Sequence, residues 1–204
     1  MSWSGLTDVR KQLTFYGAYH SNPTNILIHV CCVPMIMWSA QVLLTDAPRP
    51  SWLPVYDYKI NDYLELELNY GLIQTALYLS YFFVLEPVAA LLYTPQMLLS
   101  LLTATSFAHK QNALAVAGSV QAFSWIAQFL GHGLAEHRAP ALLDNLLGAI
   151  VLAPFFVHLE ILFKLGYRPD FHKQLNNDIG MEIARIKKIE GDKRRAQEAA
   201  KKEL

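Results

Sequence analysis

Four side chains define the chemistry open to this chain: His20, His29, His132 and Glu136. His132 and Glu136 are four residues apart, so a helix that continues through Gly131 and Gly133 projects both from one face. His20 and His29 are nine apart with Pro23 between them. They form no simple helical pair, and converge only if the chain bends between an entry segment and the helix after it. Three imidazoles and a carboxylate suit a divalent first-row metal, iron or zinc by ligand type, with open positions left for oxygen or substrate. His29 lies inside an apolar run, and an idle imidazole there is costly, which argues for function. Plainer roles are open to the others. Glu136 has an ion pair with Arg138 or His137 within reach, and His137, five residues after His132, points elsewhere unless the helix unwinds at Gly133. His109, His158 and His172 read as packing or surface groups, and Glu160 as a candidate partner behind a ligand histidine.

Other chemistries are excluded by their missing motifs. The chain has no Gly-x-Ser-x-Gly elbow, no phosphate loop and no dinucleotide fingerprint. It has seven histidines without the His-x-x-His-His spacing of membrane di-iron hydroxylases. Cys31 and Cys32 are adjacent in an apolar run, so they build no disulfide framework and read as two buried thiols. The formal net charge of +0 gives no argument for nucleic acid.

The elements that must position these groups are apolar. Of 204 residues, 53% are hydrophobic and 17% charged. Runs at Ile26–Leu44, Tyr70–Leu85, Val88–Phe107, Ala113–Leu130 and Leu142–Phe163 leave too little polar surface to cover a soluble core. The expectation is an all-α, multispan transmembrane helical bundle of four to five apolar helices with a charged helical C-terminal tail. Residues 1–175 form the membrane-embedded catalytic domain and 176–204 a charged cytosolic tail. A short amphipathic helix is expected over Thr7–Tyr19, with Asn22-Pro23 as a turn. The 45–68 segment reads as a polar loop. Its Trp52, Tyr56, Tyr58 and Tyr63 resemble an interfacial belt, and its Asp57, Asp62, Glu65 and Glu67 read as a solvated cluster because no histidine accompanies them. Asp178–Ala200 reads as an exposed charged helix with an isoleucine stripe at 179, 183, 186 and 189.

Charge asymmetry orients the bundle. From Lys164 onward Lys and Arg outnumber Asp and Glu eleven to seven, while between Thr45 and Asn69 acids outnumber bases five to two. Positive residues mark the cytosolic side, and the terminal Lys201-Lys202-Glu203-Leu204 has the form of a dilysine endoplasmic-reticulum retrieval signal. The start of the chain lacks the apolar region of a cleavable signal. With both termini cytosolic, four spans bring His132 back to the side of His20 and His29. A fifth crossing would then put the basic tail in the lumen, so one run is expected not to cross, and Leu142–Phe163, broken at Pro154, is the first candidate.

Several longer motifs sharpen this reading. Tyr19-His20-x-x-Pro23-x-Asn25-x-x-Ile28-His29-x-x-x-x-Pro34-x-x-x-Trp38-Ser39 is followed by Trp125-x-x-Gln128-Phe129-x-Gly131-His132-x-x-x-Glu136-x-Arg138-x-Pro140-Ala141-Leu142. Ala153-Pro154-Phe155-Phe156 and Gly166-Tyr167 come after them. Over about residues 15–168 the chain resembles the fungal 2-hydroxy fatty acid dioxygenase family, endoplasmic-reticulum membrane enzymes of phytosphingosine breakdown. The resemblance implies an iron(II) (Fe2+) dependent α-oxidation in which a long-chain 2-hydroxy fatty acid and dioxygen give a fatty acid one carbon shorter and carbon dioxide. It carries the metal-ligand role onto His20, His29 and His132. Glu136 is added as a fourth ligand from its place in the same motif, Arg138 as the cation for the substrate carboxylate, and Tyr19 and Asn25 as groups that orient ligands or substrate. The alkyl chain is expected among the apolar helices, in contact with membrane lipid. Two other functions stay open on the residues alone: a metal-free lipid carrier or assembly factor, and a zinc-dependent lipid hydrolase.

Overall fold

The computed structural model describes residues 6–136 and 146–202, and they form helices almost throughout. In chain order these are α1 (Val9–Tyr19), α2 (Pro23–Asp46), a hairpin of β1 (Asp57–Lys59) and β2 (Glu65–Glu67), α3 (Tyr70–Leu85), α4 (Pro87–Ala108), α5 (Ala113–Leu130), a π-helical turn (Gly131–Glu136), α6 (Leu146–Lys164) and α7 (Pro169–Lys202). Local chemistry sets several of these boundaries. Asp8, Asn22 and Asn69 cap α1, α2 and α3 by accepting backbone N–H groups, and Pro23 and Pro87 start α2 and α4, where a missing N–H costs nothing.

α2 is the central helix. It packs on α3, α4, α5 and α6, and the polar residues that interrupt its apolar run each meet a neighbour. Gln41 donates to Thr75 Oγ1 on α3 at 2.9 Å and accepts from Ser100 Oγ on α4 at 2.6 Å. Ser39 donates to Gln121 Oε1 on α5 at 2.6 Å, and Trp38 Nε1 donates to Thr103 Oγ1 on α4 at 3.2 Å. Between lipid-embedded helices such bonds contribute about 0.6–2 kcal/mol each, and small residues let backbones approach. Ala104, Ala113 and Ala117 fill that role around Val42.

Among the described residues, three helices are long and apolar enough to cross a membrane: α2, α4, and α5 continued through the π turn. α3 is shorter at 16 residues. Their outer faces carry exposed Leu77, Leu91, Leu98, Leu99, Phe123 and Ile126, an apolar surface too broad for water and suited to lipid.

The bundle has two distinct ends. α2 and α5 run antiparallel, so the start of α2 meets the end of α5 beside α1, while Val42 meets Ala113 and Ala117 at the other end. That second end is closed by the hairpin, which replaces the expected plain loop. β1 and β2 pair antiparallel with Tyr58 opposite Leu66, and Ser106 Oγ at the end of α4 donates to the Asp62 carbonyl at 3.1 Å. At the first end α6 packs across the others. Phe155 stacks on Phe82, Phe156 meets Tyr16 and His20, and His158 donates to the Ala89 carbonyl. α7 returns along α1: Arg10 pairs with Asp178, and Ala18 and Tyr19 pack with Ile183 and Ile186. Arg168 and Tyr167 hold Glu86 at the α3–α4 corner.

Candidate metal centre

The three histidines come from three elements and meet at the first end. His20 caps the C-terminus of α1, His29 sits in the second turn of α2, and His132 is in the π turn. All are buried. Ring centroids are 4.4 Å apart for His20 and His29, 4.7 Å for His20 and His132, and 5.1 Å for His29 and His132, with interplanar angles of 82°, 74° and 81°. Each offers one ring nitrogen to a group whose members lie within 4.8 Å of one another.

The tautomers of two of these rings follow from their partners. At the end of α1 the His20 backbone N–H tightens onto the Gly17 carbonyl at 3.1 Å. The Tyr16 carbonyl, one of the acceptors a helix end leaves over, takes the His20 Nδ1–H at 2.8 Å. In α2, His29 Nδ1 donates to the Asn25 carbonyl at 2.9 Å. A carbonyl only accepts, so both protons sit on Nδ1 and both Nε2 atoms carry lone pairs. Those two Nε2 atoms face each other at 3.2 Å. Two acceptors at that distance repel unless a positive species lies between them. Imidazole nitrogens at about 2.1 Å from one metal ion, at angles between a right angle and the tetrahedral value, are separated by about 3.0–3.4 Å. The donor set and its spacing therefore fit a divalent metal, with Tyr16 and Asn25 supplying the carbonyls behind the ligands. Burial, and after it the neighbouring His29, hold the His20 imidazole well below its ordinary pKa, in the neutral form that binds metal. Tyr16 also lies flat on His20, centroids 4.0 Å apart at 5°.

Glu136 stands outside this group. Its Oε1 accepts from the Asn22 backbone N–H at 2.7 Å and from Asn25 Nδ2 at 3.2 Å, and its Oε2 from Ser21 Oγ at 3.1 Å. Asn22 Nδ2 returns a bond to the Ala135 carbonyl at 3.0 Å. The carboxylate thus ties the turn between His20 and His29 to the turn that carries His132. Asn25 is fully buried and joins both sets of contacts. A Cβ on Gly131 would lie 2.6 Å from Asn25 Oδ1, so this glycine permits the close approach of the π turn to α2.

Tyr19 packs with Phe15 and the α7 isoleucines, and the tyrosine against His20 is Tyr16 instead. Spacing could have found it, since Tyr16 lies one helical turn before His20. Arg138 and His137 lie outside the described residues. His158 stacks on Tyr93 and His172 on Phe163, as packing groups do. The carbonyls of Tyr16 and Asn25 back the His20 and His29 rings, the place for which Glu160 was a candidate. Cys31 and Cys32 are free thiols; Cys32 is buried, but Cys31 is exposed on the outer face of α2 instead of buried beside it. The acidic loop does acquire a histidine: His109 Nε2 lies 2.5 Å from Glu67 Oε1, and the two form a second potential ligand trio with Glu65. A sequence separation of 42 hid that pairing.

A cavity of about 250 Å³ runs from the histidines into the bundle. His29, Val33, Ile36, Met37 and Ala40 of α2 line it, a helical rise of about 16 Å. Trp125 and Phe129 of α5, Tyr78 of α3 and Ala153 and Pro154 of α6 complete its apolar wall.

Comparison with known proteins gives a consistent result. A family model described as 2-hydroxy-palmitic acid dioxygenase Mpo1-like matches residues 6–165. The chain is 36% identical over 182 residues to the 2-hydroxy-palmitic acid dioxygenase MPO1 of Saccharomyces cerevisiae, covering 86% of this chain and 91% of that protein. No solved structure matches.

Proposed function

Because the chain belongs to the Mpo1-like family of 2-hydroxy-palmitic acid dioxygenases, we propose that it is an iron(II)-dependent dioxygenase that shortens long-chain 2-hydroxy fatty acids by one carbon. The observation that carries this reading is the pair of Nε2 lone pairs facing each other at 3.2 Å at the mouth of an apolar cavity. The stoichiometry closes without a further reductant. Oxidation of a 2-hydroxy acid to the shorter acid and carbon dioxide releases four electrons and four protons. One dioxygen accepts them, and one water is left over after balancing. The C1–C2 bond breaks, C1 leaves as carbon dioxide, and C2 becomes the new carboxyl carbon.

His20, His29 and His132 would hold the metal, and iron(II) bound there would supply the redox chemistry that dioxygen requires. The chain's own residues do the rest. The carbonyls of Tyr16 and Asn25 fix the ring tautomers, and Glu136 fixes the three ligands relative to one another. The cavity takes the alkyl chain and excludes water from the reacting end. We place the enzyme in the endoplasmic-reticulum membrane with both termini cytosolic, in sphingolipid catabolism, on the charge asymmetry and the family resemblance.

The test is oxygen uptake by purified, iron-loaded protein given 2-hydroxypalmitate. The expected result is equimolar consumption of oxygen and release of carbon dioxide with pentadecanoate as product, lost together with bound metal in His29→Ala and His132→Ala. Turnover that zinc restores and that continues without oxygen would establish the hydrolase reading instead. Full turnover by metal-free protein would refute the proposal.

A further inference from the structure

We propose that Gln128 binds the carboxylate of the 2-hydroxy acid, an assignment that rests on the function proposed above. Among the described residues lining the cavity there is no lysine or arginine. Recognition of an acid by these residues therefore falls to neutral donors. The lining includes three glutamines, Gln74, Gln121 and Gln128, and they differ in what they have left to offer. Gln121 Oε1 accepts from Ser39. Gln74 has its Oε1 buried without a hydrogen-bond partner, whereas Gln128 has its Nε2 in that state. A carboxylate only accepts, so the donor left over at Gln128 suits it, whereas the group left over at Gln74 is an acceptor.

Position agrees with polarity. Gln128 precedes His132 by one helical turn and lines the same cavity. Gln121 is seven residues further back, about 10 Å along α5. Gln128 is 7% exposed, and a buried amide donor with no acceptor is costly, more so where lipid replaces water. Gln41, with 0% exposure, avoids that cost by using both ends of its amide. The unmet donor at Gln128 is thus matched to a ligand oxygen. It also orients the substrate, head at the histidines and alkyl chain along α2 toward Ala40.

The experiment measures equilibrium binding of 2-hydroxypalmitate and of its methyl ester to the full-length protein, followed by the fluorescence of Trp125 in the cavity wall. It uses the wild type, Gln128→Met, which keeps the volume and removes the donor, and Gln128→Glu, which places an acceptor there. Equal metal content in all three confirms an intact fold. The expected result is a loss of about tenfold to hundredfold in affinity for the acid in Gln128→Met, a larger loss in Gln128→Glu, and little change for the ester. Acid affinity in Gln128→Met within about twofold of wild type, equal loss of acid and ester, or no acid binding by the wild type overturns the assignment. Absence of oxygen uptake by a wild type whose acid binding depends on Gln128 overturns the dioxygenase reading and leaves this one standing.

Discussion

At the scale of residues, the centre is held by bonds that are not bonds to metal. Glu136 was expected as a fourth ligand from its spacing, yet its oxygens are taken up by Ser21, Asn22 and Asn25. A clamping role and a ligand role predict different responses. Glu136→Ala is expected to weaken metal binding by about 10–100-fold, and Glu136→Gln, which keeps an acceptor for Asn22 and Asn25, by much less. Metal titration of the two variants decides, and equal losses would restore Glu136 to the coordination sphere. His20, His29 and His132 were legible in the sequence because imidazoles beside or within apolar runs demand a reason. Tyr16 is not legible there, and Gln128 only as one residue of a motif without a role, since a tyrosine in a mixed helix and a glutamine near the end of an apolar one look ordinary until their neighbours are known.

At the scale of elements, four apolar runs correspond closely to α2, α3, α4 and α5, since length and hydropathy are local properties. What escaped was set by contacts distant in sequence. The hairpin has three-residue strands, each with one apolar residue at its centre, Tyr58 and Leu66, too short for a period to announce it. The π turn arises where α5 brings His132 against α2, as π insertions often do at functional sites. This gives a paired prediction. Gly131→Ala places a Cβ 2.6 Å from Asn25 Oδ1 and 3.1 Å from Ile28 Cδ1, and is expected to destabilise by about 1–3 kcal/mol and to weaken metal binding. Gly133→Ala, two residues on, meets nothing within 4 Å and is expected to leave both unchanged. Thermal unfolding and metal titration of the two variants check this, and similar behaviour at the two sites would contradict the close-approach argument.

At the scale of the whole molecule, α1 and α7 are packed together through Arg10, Asp178 and the isoleucine stripe, which supports the proposed topology with both ends of the chain on the cytosolic side. Protease protection in sealed microsomes is expected to find tags at both ends accessible together, and cleavage of only one would sink the proposed topology. The isoleucine stripe was legible in the sequence, but its partner face on α1 was not. The facing imidazoles have a last consequence for the molecule in its cell. Folding brings two lone pairs to 3.2 Å, so a cation held between them stabilises the native state. A species bound only by the native state stabilises it by about 2.7 kcal/mol at a concentration one hundred times its dissociation constant. Iron supply would then govern how much of this protein survives quality control, as well as how fast it works. In cells starved of iron, its half-life in a pulse-chase is expected to shorten while that of Glu136→Ala, already poorly loaded, changes less.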